Sequence, residues 1–413
     1  MFGFHHRAVP IALAAVLIDT IGFGIVIPVL PGLIVELGRV SLADGARIGG
    51  YMLIAFAAAQ FVAGPILGNL GDRYGRRPVL LAAMLAFAAD YALMAFAPTL
   101  AWLFVGRVIA GITGAVYGPA NAILADVTPP EKRGATFGLM GAAFGLGFII
   151  GPAIGGLLSA FGTKAPFLAA AAIALANAIA IAAILPETHA PENRRAFDWS
   201  RANVFGAFRP LFHAGGAAAL LAAVFLWQLA HMVYPATWAF WAEIALGWDA
   251  RAIGWSLAAS GLSMVLAQTL LTGRAIRRFG EVRTVMIGLV AGAAVFGAYT
   301  LVDAGWQVYV LIALGSLTGL VFPSLNAILS SRVDAANQGS LQGGMASLAS
   351  LSAVIGPLMM TQALAYGAER GETSGNFLLA AVLSLLTLAV ILFGVRRTPT
   401  PDGRLRTPED RPI

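Results

Sequence analysis

The 413-residue chain is 59% hydrophobic and only 11% charged, with a net charge of +6 and a mean hydropathy of +0.82. Soluble domains carry roughly a quarter charged residues, so a soluble enzyme or soluble nucleic-acid-binding domain is excluded and the chain is a membrane protein. It has no cysteine, which removes disulfides, thiol nucleophiles and thiolate metal sites.

In lipid the backbone must satisfy its own hydrogen bonds, which leaves helices or a closed barrel. The apolar runs are continuous and not alternating, and each is near the about 20 residues a helix needs to cross a bilayer. Turn and charge signals divide the chain into twelve spans: 8–36, 45–70, 77–97, 99–125, 133–159, 164–185, 214–243, 250–274, 282–302, 305–331, 338–365 and 374–395. Met1–Arg7 leads into the first of these, which lacks a small-residue cleavage pattern and carries Asp19, so it reads as a span and not a signal peptide. The longest connection, 186–213, is polar and falls almost midway. The expected division is a six-helix half over 1–185, a cytoplasmic middle loop over 186–213, a second half over 214–395 and a cytoplasmic tail over 396–413. With both ends inside, twenty of the 26 Lys and Arg fall in cytoplasmic segments, five in outer loops, and Arg107 lies within a span. This is the positive-inside bias, and it accounts for the basic charge without a nucleic-acid partner.

A single offset of 205 aligns the halves. Gly68 and Gly75 map to Gly273 and Gly280, Tyr74 to Phe279, Asn121–Leu124 to Asn326–Leu329, and Gly151-Pro152 to Gly356-Pro357. Parallel duplication of this kind is expected of a transporter with its substrate path at the repeat interface. Asp72 maps to Arg277 and Arg107 to Ile312, so the charged chemistry differs between halves.

Three motifs carry the functional signal. "GNLGDRYGRRPVLL" (68–81) places Asp72, Arg73, Arg76 and Arg77 in a tight turn bounded by Gly75 and Pro78; the arginines follow topology, whereas Asp72 can pair with an arginine or with helix N-terminal amides. "GLMGAAFGLGFIIGPAIGG" (138–156) spaces glycines for close helix approach and bends the span at Pro152. "LFVGRVIAGITGA" (103–115) holds Arg107, which is costly within a span unless it faces a partner or a cavity. Helical rise puts Asp19 roughly 18 Å beyond Arg7, Asp90 roughly 20 Å beyond Arg77 and Arg107 roughly 12 Å from the outer end of span four. Two carboxylates and a guanidinium at one depth make a candidate protonation switch, because burial disfavours a charged carboxylate and a nearby arginine favours it.

The first motif resembles the signature loop of the major facilitator superfamily, and the second the antiporter motif of its drug/proton branch. With them, "IDTIGFGIVIPVLPGL" (18–33), "DYALMAFAP" (90–98), "GWDARAIGWSLAASG" (247–261) and "GSLQGGMASLASL" (339–351) resemble bacterial tetracycline efflux pumps. The resemblance implies an all-α integral membrane protein of the major facilitator fold, with twelve helices in two six-helix halves. It implies a proton-coupled antiporter of the bacterial inner membrane, working as a monomer with both termini cytoplasmic. The exported compound would be an amphipathic drug, with tetracycline the leading substrate, carried as a magnesium complex; no resident cofactor is implied. Asp19, Asp90 and Arg107 would couple protons, and Asp72, Arg73, Arg76, Arg77, Gly151 and Pro152 would gate. Two positions depart from the pattern: Gly292 stands where the family puts a span-nine aspartate, and Met264 where a span-eight histidine is common. Uncharged polar groups are the substrate candidates: Gln60, Gln228, His231, Gln268, Asn326 and Gln342, with Trp238 and Phe322 among the apolar walls. Export of another drug or metabolite is the main alternative; a non-transporting membrane sensor is a further one. Neither an H-E-x-x-H pair nor a phosphate-binding glycine loop is present, so the sequence gives an enzyme no support.

Overall fold

The computed structural model describes residues 7–129, 132–198, 218–333 and 338–394; most of the expected middle loop and the C-terminal tail lie outside the described residues. The described residues are mainly helical. Eleven helices among them are long and apolar enough to cross a membrane, and one of these, Ala250–Tyr299, passes through a non-helical Gly280 and so holds two spans, which makes twelve. The spans start and stop where local chemistry directs. Ser41 accepts from the amide of Asp44 to open span two (Leu42–Tyr74), and Pro166 stands in the first turn of span six (Ala165–Ile184).

By contacts the chain divides into two compact units, Met1–Val204 with Trp238–Leu262, and Phe205–Thr237 with Ser263–Ile413. In the first unit, span one (Ala8–Val26 and Leu30–Gly38) packs along span five (Arg133–Leu158) and span six. Span three (Arg76–Ala95) lies on span six, and span two on span four (Leu100–Thr113 continuing as Tyr117–Val127). The second unit repeats the pairings of spans one and three. The first helix of span seven (Ala218–His231, followed by Val233–Leu246) lies on span eleven (Gln338–Ala368) and span twelve (Gly375–Gly394), and span nine lies on span twelve. A buried apolar cluster that includes Leu220, Leu221, Val224, Trp227, Leu289 and Leu325 ties spans seven, nine and ten.

The duplication is visible in the backbone irregularities as well as in the pairings. Gly75 and Gly280, 205 apart, both have positive φ, +105° and +77°. Span one is interrupted between Val26 and Leu30, and span seven at Met232, which is the same place in the repeat. Spans four and ten each tighten into a 3-10 turn midway, at Gly114–Val116 and Ser316–Leu320.

The compact units do not coincide with the two sequence halves, because 238–262 groups with the first six spans. The cause is backbone-level contact: a Cβ on Gly254 would lie 2.4 Å from the Pro152 carbonyl oxygen, and one on Gly156 2.7 Å from that of Ala250.

Candidate functional site

The first unit holds two polar centres. In the membrane-buried one, Asp90 of span three is 1% exposed, and among the described residues neither carboxylate oxygen has a hydrogen-bond partner. Span four comes close at this level because Gly106 has no side chain; a Cβ there would sit 3.1 Å from Asp90 Oδ1 and 2.7 Å from Met94 Cγ. The next residue, Arg107, is 5% exposed, donates from Nη2 to Met94 Sδ at 2.9 Å and lies 5.9 Å from the centre of the Phe56 ring. Asp90 and Arg107 are therefore neighbours whose hydrogen bonds are not spent on each other. A buried carboxylate with open lone pairs is costly in its charged form, so this arrangement suits gain and loss of a proton. Asp19 is half-buried on span one, one turn from Gly22, where a Cβ would touch the Tyr91 hydroxyl at 2.7 Å. Spans one and three thus meet at the level of Asp90.

The second centre lies at the arginine-rich ends. Asp72 pairs with Arg76 at 2.7 Å, and Arg76 Nε lies 3.6 Å from Asp126 Oδ2. Glu187, beyond span six, accepts from the amides of Arg76 at 2.9 Å and Arg77 at 3.3 Å, and so caps the N-terminus of span three. Arg195 N donates to the Asp72 carbonyl at 3.1 Å, and Asn69 Nδ2 to that of Asp198 at 2.6 Å. The first residues of the middle loop are thereby fastened to spans two and three, around a polar cavity of about 490 Å³. Arg77 donates to the Ala182 carbonyl, whereas Arg73 is exposed and stacks over Tyr74. Neither Glu187 nor Asp126 belongs to a sequence motif, because both lie far along the chain from the turn at Arg76 that they contact.

Gly151 and Pro152 lie on the span one–span five seam. Cβ atoms on Gly147, Gly151 and Gly155 would come within 2.9, 2.6 and 2.4 Å of the carbonyl oxygens of Leu17, Ile21 and Ile25, whereas one on Gly138 would meet nothing within 4 Å among the described residues.

The candidate substrate residues are dispersed. Gln60 Nε2 donates to the Gly114 carbonyl at 3.1 Å, at the 3-10 turn of span four. Trp238 is buried, donates from Nε1 to Ser256 Oγ at 2.9 Å and has its ring centre 5.4 Å from that of Trp241, the two rings tilted by 43°. In the second unit, Gln342 Nε2 donates to Asn326 Oδ1 at 3.1 Å, joining spans ten and eleven. Gln268 opens a π-helical stretch, Gln268–Thr272, and Phe322 is 42% exposed. Gln228 and His231 sit together on span seven, where Gln228 Nε2 and His231 Nδ1 are buried without hydrogen-bond partners among the described residues. A Cβ on Gly292 would lie 3.3 Å from Thr318 Cγ2, a tight approach, and 3.5 Å from Trp227 Cζ3, an ordinary contact, so Gly292 packs against both side chains.

The Major Facilitator Superfamily profile matches residues 12–244 and 229–413. The class C tetracycline resistance protein of Escherichia coli is 39% identical over 394 residues, covering 94% of this chain and 97% of that protein. The class G protein of Vibrio anguillarum is 37% identical over 382 residues, covering 92% and 96%. Among solved structures, the nucleoside transporter NupG superposes with a TM-score of 0.76 at 15% identity, over 94% of this chain and 99% of that one. The chain belongs to the Major Facilitator Superfamily, in the family of the tetracycline resistance proteins, and is a membrane-embedded transporter of a small molecule and not an enzyme.

Proposed function

We propose that this protein exports tetracycline across the bacterial inner membrane in exchange for protons, as a monomer with both termini in the cytoplasm. The relatives' names support the substrate, and the unpartnered, buried Asp90 beside Arg107 carries the coupling. Protonation of Asp90, with Asp19 nearby on span one, changes the charge facing Arg107 and so biases the equilibrium between inward- and outward-open states. Asp72, Arg76 and Asp126, with the Glu187 cap, stabilise one of those states from the cytoplasmic side. A magnesium ion carried with the drug would find carboxylates within the membrane at Asp19 and Asp90.

In everted vesicles, wild type is expected to take up tetracycline in response to an imposed pH gradient. Asp90→Asn is expected to lower that uptake at least tenfold and Asp19→Asn to a similar extent. Uptake that ignores the pH gradient and survives both changes would refute proton coupling.

Export of a different drug or metabolite is favoured by one observation, the glycine at 292 where the resemblance implies a span-nine aspartate. A resistance profile in a pump-deficient host, with Gly292→Asp beside wild type, separates the two readings. Resistance to unrelated compounds without resistance to tetracycline selects the second.

A further inference from the structure

Span seven is broken at mid-length. The helix Ala218–His231 ends and Val233–Leu246 begins after Met232, whose amide is shared between the carbonyls of Gln228 and Leu229, both at 3.2 Å. Pro235 has no N–H to return to the carbonyl of His231, so that carbonyl loses its usual partner from its own helix. Gly356 of span eleven seats the break: a Cβ on it would lie 2.4 Å from Met232 Cγ. Interrupted helices of this kind line substrate sites in duplicated transporters.

The side chains at the break have a definite chemistry. His231 is held between two rings, Trp227 at 4.6 Å and Tyr234 at 5.6 Å between centroids. Gln228 precedes it by three residues and shares its helix face. Among the described residues, Gln228 Nε2 and His231 Nδ1 are both buried without a hydrogen-bond partner, a rare condition in a folded protein that points to a partner supplied by a ligand. Magnesium is a poor candidate for that partner, because it takes hard oxygen ligands. Gln228 presents a nitrogen donor and His231 a nitrogen, and the Trp227 indole lies against Gly292.

Resting on the proposed export of tetracycline, we infer that Gln228 and His231 at the span-seven break form a substrate contact of the second unit, one that recognises an uncharged carbonyl and hydroxyl edge of a planar ligand directly and without a metal ion. Trp227 is a positioning residue for His231.

The test is tetracycline binding to the purified full-length protein, measured with magnesium and again with EDTA. Gln228→Ala and His231→Ala are each expected to weaken binding at least tenfold, and by the same factor, within twofold, in both conditions. Trp227→Phe keeps a ring beside His231 and is expected to weaken binding less than threefold. A loss that appears only with magnesium, or no loss in either variant, overturns the inference. Thermal unfolding of each variant identifies a folding defect, and His231→Gln, which retains hydrogen-bonding capacity, is expected to recover part of the affinity of a folded protein. Binding that behaves as expected in a protein conferring no tetracycline resistance would count against the proposed function alone.

Discussion

Among single residues, Gly75 is the clearest case of a position with one permitted occupant. Its φ of +105° and ψ of 160° are accessible to glycine and strained for other residues, and a Cβ would lie 2.2 Å from Glu187 Oε2. Gly75→Ala is expected to destabilise the protein by about 1–3 kcal/mol from backbone strain and to displace Glu187 from the span-three amides. Because both changes break the same cap, Gly75→Ala and Glu187→Ala should be non-additive; thermal unfolding of the single and double variants in detergent checks this. The turn was legible from Gly75 and Pro78. Its acidic partner was not, because Glu187 is 111 residues from Arg76 and local pattern says nothing about contacts at that range.

Between helices, the span-five motif separates into glycines that face a neighbouring backbone and glycines, Gly138 and Gly141, that meet none of the described residues. Gly147, Gly151 and Gly155 recur every four residues, and each faces a carbonyl of span one. Gly151→Ala and Gly155→Ala are expected to reduce transport at least tenfold or prevent stable assembly, since backbone oxygens cannot give way as side-chain ends do. Gly138→Ala, with open space around it, should leave transport within twofold of wild type; vesicle uptake and yield in the membrane report both. The motif's spacing was readable in the sequence, but its partner helix was not, since small residues permit close approach without saying to what.

For the molecule as a whole, span five meets the start of span eight within the first unit: a Cβ on Gly156 would lie 2.7 Å from the Ala250 carbonyl oxygen and 3.0 Å from Arg251 Cα. Gly156→Ala is expected to lower transport at least tenfold or to prevent stable assembly, read by vesicle uptake and by yield in the membrane. Unchanged transport at normal yield would mean that the cycle does not need this close contact.

Hydrophobic length and the 205-residue offset are properties of the chain alone, so the membrane, the helices, their number and the internal duplication could all be read without coordinates. Asp90 and Arg107 could be marked in the same way, since charge within an apolar span is conspicuous along the chain. Helix packing settled the rest: which helices share a seam, that 238–262 groups with the first six spans, that Glu187 caps span three, and that Trp227 lies against Gly292. The physical reason is the same in each case: these outcomes depend on which surfaces approach to within a few ångströms, and hydropathy along the chain does not encode that.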